Sequence, residues 1–293
     1  MITVSPTSYT LVDPQTKELA LKLSWFNNDS PFSTVGRYPY FSMLLVTKGV
    51  GSVVRDETTY AFRSGSLLCF ALYQPFMVKA ESELEGVLIN FHPSFFCLFK
   101  HRNEVSCNGV LFNNLYDTPV VELSPGEMQS LSVVADQITT EMRSRQDPDP
   151  DVLLSYLKIF LINASRAKME QRRVEEARPA KIPVSLEKLQ NAIDTHFKTL
   201  RSPAEYGVLL NISPKALNKI CKTWFHKTVS ELIAERLIIE AKRELYLTAR
   251  SVKEIAYGLG YEDEFYFSRY FKKKVGVSPQ LFRDRVGFDK LNA

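Results

Sequence analysis

Residues 251–282 read SVKEIAYGLGYEDEFYFSRYFKKKVGVSPQLF, and this stretch decides the fold of the C-terminal part of the chain. A short apolar helix pattern comes first and ends at a turn that contains two glycines. A second helix pattern follows, in which Phe267, Tyr270 and Phe271 recur at three- and four-residue spacing and share one face. The stretch therefore predicts two short helices that cross at a tight turn.

Polar side chains occupy the outer face of the second of these helices. Ser268, Arg269 and Lys272 fall between the aromatic residues and point away from their face. A helix enters the major groove of DNA only when a partner helix covers its back and braces it on the phosphates. The pattern therefore predicts a helix-turn-helix motif.

A second stretch of the same kind lies about fifty residues upstream, where residues 202–224 read SPAEYGVLLNISPKALNKICKTW. Ser202 as cap and Pro203 in the first turn predict the start of a helix. We expect the inward face of this helix to be formed by Ala204, Val208 and Leu209. Asn211 suits the turn that follows, because asparagine tolerates the left-handed backbone conformation.

The upstream stretch then predicts a second helix, capped by Ser213 with Pro214 at its first position. Its inward stripe comprises Leu217, Ile220 and Cys221. Its outward side chains are Lys215, Asn218, Lys219 and Lys222. Between the two stretches, residues 229–248 contain no glycine or proline and predict one helix, which at 1.5 Å per residue spans roughly 28 Å. That length is close to the ~34 Å of one turn of B-DNA, so it suits two helices in successive major grooves.

At these residues the sequence resembles the AraC/XylS family of bacterial transcription regulators. The resemblance covers about 184–285 and is strongest in EIAYGLGYEDEFYFSRYFKKKVGVSP, which is followed by Phe282 and Arg283. The chain departs from the family in the upstream motif, with Asn211 at a usual glycine and Cys221 at a usual phenylalanine. The resemblance implies a transcription regulator with no enzymatic activity, double-stranded operator DNA and RNA polymerase as partners, and a homodimer.

The resemblance also assigns residues to DNA contact. In the second motif the groove-facing positions fall on Glu264, Phe265, Ser268 and Arg269, with Asp263 as helix cap. In the first, the corresponding positions fall on Lys215, Asn218 and Lys219, with Lys222 nearer the phosphates. Together with Lys272, these residues are the predicted DNA-binding set. Two interpretations stay open for Arg269, a bidentate contact to guanine or a phosphate contact.

Charge and composition agree with this assignment. The chain has 293 residues and a formal net charge of +4. Residues 180–293 hold 20 Lys and Arg against 13 Asp and Glu, a net charge of +7, and residues 1–179 carry −3. A basic half is the expected footprint of phosphate contact.

The N-terminus has no signal-peptide pattern, and the apolar run at 153–164 is too short for a bilayer. We expect a cytoplasmic protein without membrane contact.

No cofactor or metal site is expected. The cysteines have neither metal-ligand spacing nor a CxxC motif, and we interpret them as reduced, buried thiols: Cys69, Cys97, Cys107 and Cys221. His92 and His101 are the histidines before residue 196, and His92 is expected at a loop or strand end. No phosphate loop or nucleophile motif is present, so the motifs argue against an enzyme. A cupin enzyme fused to a DNA-binding domain would need metal ligands that the sequence does not offer.

The first part of the chain predicts short antiparallel strands separated by turn signals. The candidates are FSMLLV (41–46), GSVVR (51–55), TTYAF (58–62), SLLCF (66–70), PFMVKA (75–80) and EGVLINF (85–91). Their order resembles the cupin-type sensor domain attached to many AraC-family regulators. Two amphipathic helices follow at 125–143 and 151–170. The second is apolar on two sides, which fits either a core helix or a helix shared between the barrel and a second subunit.

The predicted fold class is therefore α+β. It comprises a cupin-like antiparallel β-barrel with flanking helices at 1–170, a linker at 171–184, and an all-α domain at 185–293 with two helix-turn-helix motifs joined by a long helix. Two hypotheses remain for the barrel. It binds a small-molecule effector and the protein is an activator, or it only dimerises or binds a protein partner. The candidate residues for an effector pocket are Tyr38, Tyr40, Phe41, Met43, Phe70 and Tyr73.

Overall fold

The computed structural model describes residues 8–13, 17–27, 32–55, 58–98, 110–112, 115–144, 148–176 and 184–286. The chain divides into two compact units. The first comprises Met1–Asn114 and Thr118–Glu175. The second comprises Leu115–Asp117 and Glu176–Ala293, so a short segment between two strands of the first unit groups with the second.

The N-terminal unit is built from antiparallel strands. These are β1 (Ser8–Val12), β2 (Leu19–Asn27), β3 (Phe41–Lys48), β4 (Val50–Arg55), β5 (Thr58–Arg63), β6 (Ser66–Phe70), β7 (Phe76–Ala80), β8 (Glu85–Phe91) and β9 (Val120–Glu122). One sheet has the order β1-β2-β8-β3-β6-β9, and a smaller sheet has the order β5-β4-β7. Helices α1 (Pro125–Ser144) and α2 (Pro150–Glu176) follow.

A cluster of apolar side chains from both sheets forms the core of this unit. Its buried members are Phe26, Leu44, Val46, Val53, Phe62, Leu68, Phe70, Phe76, Val78, Leu84, Leu88 and Val120. The rings of Phe70 and Phe76 stack with centroids 3.7 Å apart. Because successive residues of a strand point to opposite faces, the central strands β3, β6 and β8 bury a second set of side chains on their other face.

The two helices pack against this sheet system through polar as well as apolar contacts. Trp25 Nε1 donates to Thr139 Oγ1 of α1 (2.9 Å). Buried Lys168 of α2 donates to the carbonyl oxygens of Thr118 (3.2 Å) and Val120 (3.1 Å) at the start of β9. These bonds fix α1 and α2 to the sheet that contains β2 and β9.

The second unit is helical. Its helices are α3 (Val184–His196), α4 (Pro203–Leu210), α5 (Pro214–Phe225), α6 (Val229–Leu247), α7 (Val252–Gly258), α8 (Glu264–Val275) and α9 (Pro279–Val286). Arg236 of α6 joins α3 by an ion pair with Asp194 (2.9 Å) and by stacking over the Phe197 ring (4.1 Å). Arg236 also pairs with Glu240 (3.1 Å), so this half-buried cation links the two helices.

The elements agree with the sequence prediction in most places. All six predicted strands are present, and the fold combines antiparallel N-terminal sheets with a helical C-terminal part. Strands β1, β2 and β9 were not predicted. Helix α2 continues to Glu176, so residues 171–176 of the predicted linker are helical. Residues 177–183 lie outside the described part of the chain.

Candidate nucleic-acid interface

Helices α4 and α5 form the first helix pair. Ser202 caps α4 in a reciprocal capping box with Glu205, whose carboxylate accepts from the Ser202 backbone N–H (2.8 Å). Asn211 ends α4 in the left-handed conformation at φ 55°, as predicted. A Cβ on Gly207 would lie 2.8 Å from the Ile212 carbonyl oxygen, so glycine permits the chain to fold back closely there. Ser213 then caps α5, also as predicted.

The predicted inward face of α4 is wrong. Ala204, Val208 and Leu209 are exposed, with Val208 85% and Leu209 48% accessible. The buried residues of α4 are Tyr206 and Gly207 instead. An eight-residue helix offers only two turns, and here the neighbouring helices cover the side where these two residues lie.

Helix α5 presents three of its four predicted polar side chains on its outer face. Leu217 and Cys221 are buried, and Ile220 is half-buried. Burial raises the pKa of the Cys221 thiol to about 11, so this cysteine is an uncharged core side chain at neutral pH. On the opposite side the three lysines are exposed: Lys215, Lys219 and Lys222. Asn218 differs from them, because it is half-buried and its Oδ1 accepts from the Val229 backbone N–H (3.0 Å).

Helices α7 and α8 form the second pair. Ser251 and Glu254 close a second capping box at the start of α7. Gly260 adopts φ +78° in the turn, a conformation that glycine reaches without steric cost. Asp263 caps α8 by accepting from the backbone N–H groups of Phe265 (2.8 Å) and Tyr266 (3.1 Å), which confirms its predicted role.

Helix α8 carries its predicted contact residues on the side away from its buried stripe. Phe267, Phe271 and Val275 are buried. On the other side Phe265 is 67% exposed, Arg269 and Lys272 are exposed, and Glu264 and Ser268 are partly exposed. The Arg269 guanidinium lies 4.0 Å from the Asp263 carboxylate, a distance at which the arginine stays available to a ligand.

Several exposed side chains near these positions were not predicted to contact DNA. Tyr266 follows Phe265 and is also exposed, and Trp224 is exposed near the end of α5. Lys273 and Lys274 extend the basic last turn of α8. The run of three lysines was a visible signal, because cations near a helix C-terminus and a cationic cluster both suit phosphate contact.

The described cysteines and His92 are buried side chains. Cys69, Cys97 and Cys221 are buried; Cys107 and His101 lie outside the described residues. His92 follows β8 directly and is buried, and its Nδ1 accepts from the Ser94 backbone N–H (3.2 Å). Within the described ranges, no cluster of His, Cys, Asp and Glu could hold a metal ion. The same residues include no helix long and apolar enough to cross a membrane.

Comparison with known proteins finds a family model for most of the helical unit. Residues 208–285 match a family described as a helix-turn-helix domain. The activator Btr of Bacillus subtilis is 40% identical over 85 residues, 29% of this chain and 16% of Btr. The raffinose operon regulator RafR of Pediococcus pentosaceus is 35% identical over 78 residues, which is 28% of its length. The alignments with these two relatives therefore span less than a third of each.

Two comparisons extend over most of the chain. The activator RhaR of Cronobacter sakazakii is 22% identical over 278 residues, 88% of this chain and 92% of RhaR. The solved structure of ToxT from Vibrio cholerae covers 96% of this chain and 98% of its own, at 16% identity and a TM-score of 0.41.

These findings define the class of the C-terminal part of the chain. Residues 208–285 are a helix-turn-helix domain similar to those of DNA-binding transcription regulators. This similarity agrees with the helix-turn-helix motif that residues 251–282 predict.

Proposed function

We propose that the protein binds a specific operator by placing α5 and α8 in successive major grooves of one face of the duplex. In this proposal both helix pairs act as helix-turn-helix motifs. The main observation in support is that α5 and α8 each bury one stripe of side chains and expose cationic and polar side chains on the opposite face. Helix α6, which joins the pairs, has 19 residues and spans roughly 28 Å. That length is near one helical turn of DNA.

The proposed division of labour follows the side-chain chemistry. The predicted contact set remains Lys215, Asn218, Lys219, Lys222, Glu264, Phe265, Ser268, Arg269 and Lys272. Helix α5 offers lysines, which act as point charges and suit phosphate contact. Helix α8 offers Arg269, whose planar guanidinium matches the O6 and N7 edge of guanine, and Phe265, which suits the thymine methyl group. We therefore assign most base selection to α8 and most phosphate contact to α5.

Selection of duplexes from a random library by the full-length protein tests this proposal. We expect an enriched sequence with two elements about one helical turn apart, and loss of about 1–3 kcal/mol of discrimination at one base pair in Arg269→Ala. Lys188→Ala is a matched control, because Lys188 is an exposed cation on α3. Equal weakening of every sequence by Arg269→Ala would assign that residue to phosphate contact. If the library yields no enriched sequence, the proposal of a specific operator is refuted.

For the N-terminal part we propose the second of the two hypotheses, a dimerisation or partner-binding module without a ligand between its sheets. Apolar side chains occupy the space between the sheets, and Phe41, Met43, Phe70 and Tyr73 are all buried there or in the adjoining core. On α2, the apolar side chain of Ile159 is 44% exposed. A second subunit would cover this side chain, which supports a homodimer through α1 and α2.

Sedimentation at micromolar concentration tests this part of the proposal. We expect a dimer, and a folded monomer with weaker operator binding for Ile159→Glu. Thr59→Glu is the control, because Thr59 is an exposed polar residue on β5, outside the proposed interface. A monomeric wild type would refute the dimer.

A thermal-shift screen with cytosolic metabolites tests the effector hypothesis, which gains support only from hits that also change operator affinity.

An activator role is the remaining part of the proposal. Btr and RhaR are both named transcriptional activators, and the chain is similar to them over 85 and 278 residues respectively. We propose that operator-bound protein contacts RNA polymerase at an adjacent promoter and acts in the cytoplasm. In vitro transcription from a promoter that carries the selected sequence measures this directly; a fall in transcript on adding the protein would assign repression instead.

A further inference from the structure

Arg201 connects the two helix pairs through a contact that does not involve α6. It lies directly before Ser202, the cap of α4, and its backbone N–H donates to the Glu205 carboxylate (3.0 Å). Its guanidinium donates to the carbonyl oxygen of Leu259, in the turn between α7 and α8. The start of the first pair is therefore bonded to the turn of the second pair.

The same guanidinium also stacks on the second pair. Its Cζ lies 4.7 Å from the centroid of the Tyr261 ring, within range of a cation–π interaction. The Tyr261 ring in turn packs against Phe267, the first buried residue of α8, with centroids 5.2 Å apart. A continuous line of contacts thus runs from the cap of α4 to the buried stripe of the proposed reading helix.

A close backbone approach lies beside this arginine. A Cβ on Gly260 would fall 2.2 Å from the Lys198 carbonyl oxygen and 3.0 Å from Arg201 Nη2. Only glycine leaves room for the segment before α4 to approach the α7–α8 turn this closely. This close approach places the Arg201 guanidinium within hydrogen-bonding reach of the Leu259 carbonyl.

We infer that Arg201 is a positioning residue, which sets the spacing and rotation between α5 and α8 and thereby the spacing of operator elements that the protein accepts. This inference rests on the proposed function. Helix α6 connects the pairs along the chain and packs against α5, α7 and α8. The Arg201 contact joins the pairs at a second, separate place, and two separated connections restrict the rotation of one pair relative to the other. One added base pair rotates the second element by about 35°, which a rigid pair of readers cannot follow.

The experiment uses full-length protein and the duplex that the wild type selects from a random library. The affinity for this duplex is compared with the affinity for the same duplex carrying one extra base pair between its two enriched elements. We expect the ratio of these affinities to fall about fivefold or more in Arg201→Gln, which retains hydrogen-bonding capacity but loses the cation. Loss of a phosphate contact or of stability would lower both affinities together and leave the ratio unchanged.

Two further variants complete the design. Lys198→Ala removes a neighbouring exposed cation and keeps the Lys198 carbonyl, so its ratio should equal that of the wild type. Arg201→Lys cannot bond the Leu259 carbonyl and cover the Tyr261 ring together, so its ratio should also fall, and it decides the matter if the glutamine variant does not fold. An unchanged ratio in Arg201→Lys or in folded Arg201→Gln, or an equal fall in Lys198→Ala, overturns the inference. If the wild type selects no duplex, the proposed function fails, and the inference fails with it.

Discussion

The Val229 backbone N–H donates to Asn218 Oδ1 at 3.0 Å. Val229 is the first residue of α6, and its N–H has no partner within that helix. The amide of Asn218, on the proposed phosphate-contacting helix, therefore holds the start of the helix that connects the two pairs. This bond gives Asn218 a structural task at a position that the sequence assigned to base contact.

We predict that Asn218→Ala lowers stability and does not change base preference. Loss of the acceptor should reduce the free energy of unfolding by about 1 kcal/mol, because the Val229 N–H loses its partner. Operator affinity should fall evenly over all single-base variants of the selected duplex. Asn218→Asp keeps the acceptor and is the control in urea unfolding. A loss confined to one A·T pair would instead establish Asn218 as a base reader.

We predict that the salt dependence of DNA binding reports on α5. Lys215→Ala with Lys219→Ala should reduce the slope of log K against log salt by about two units, because each lysine at a phosphate releases one counterion. The double variant Lys188→Ala with Lys198→Ala removes the same charge from exposed positions on and after α3 and should leave the slope unchanged. Titrations between 50 and 200 mM salt measure both slopes. Equal slopes for wild type and the α5 variant would show that α5 does not engage the duplex.

We predict that the apolar residues of α4 contribute little to folding. Val208→Ser and Leu209→Ser should each change the free energy of unfolding by less than about 0.5 kcal/mol, because both side chains are exposed. Leu217→Ala in α5 should cost about 2–5 kcal/mol, because Leu217 is buried. Urea unfolding compares the three variants. A cost above 2 kcal/mol for Val208→Ser would mean that another surface covers it in solution.

We predict that acid weakens α4, α6 and α7 through their capping boxes. Hydrogen bonds from Ser202, Thr228 and Ser251 hold the pKa values of three carboxyl groups below the ordinary 4.5; these belong to Glu205, Glu231 and Glu254. A lowered folded-state pKa favours the ionised carboxylate in the native state. The stabilisation is therefore complete above the unfolded pKa and is lost as pH falls through the lower folded values.

The test follows unfolding midpoints from pH 6 to pH 3. The midpoint of the wild type should decline below about pH 4.5, and the triple variant Glu205→Gln, Glu231→Gln, Glu254→Gln should show a shallower decline. Glu187→Gln serves as a control, since Glu187 is an exposed glutamate in the first turn of α3. Identical pH profiles for wild type and triple variant would contradict the prediction.

Much of the helical part could be predicted because its signals are local. Caps such as Ser213 and Asp263 act on backbone groups two or three residues away, so sequence spacing identifies them. The stripe of Phe267 and Phe271 follows from helical periodicity in the same way. The outer face of α8 was accessible to prediction for that reason, whereas the exposed Tyr266 and Trp224 were missed because exposure depends on neighbouring helices.

The inward face of α4 shows where local signals fail. Val208 and Leu209 are apolar and share a helix with Tyr206, yet only Tyr206 is buried. Periodicity reports which side chains share a face, but it does not report which face meets the rest of the protein. A short helix with apolar residues on two sides leaves that choice to its packing partners.

The sequence by itself determined the class of the C-terminal domain, the positions of its helices and the strands β3 to β8, because caps, turns and periodicity act within a few residues. The tertiary structure alone decided which side of α4 is buried, that Asn218 holds Val229, and that Arg201 reaches Leu259 and Tyr261. Arg201 and Leu259 are 58 residues apart in the chain. Contacts over such separations depend on how the intervening helices pack, and no local pattern in the sequence encodes them.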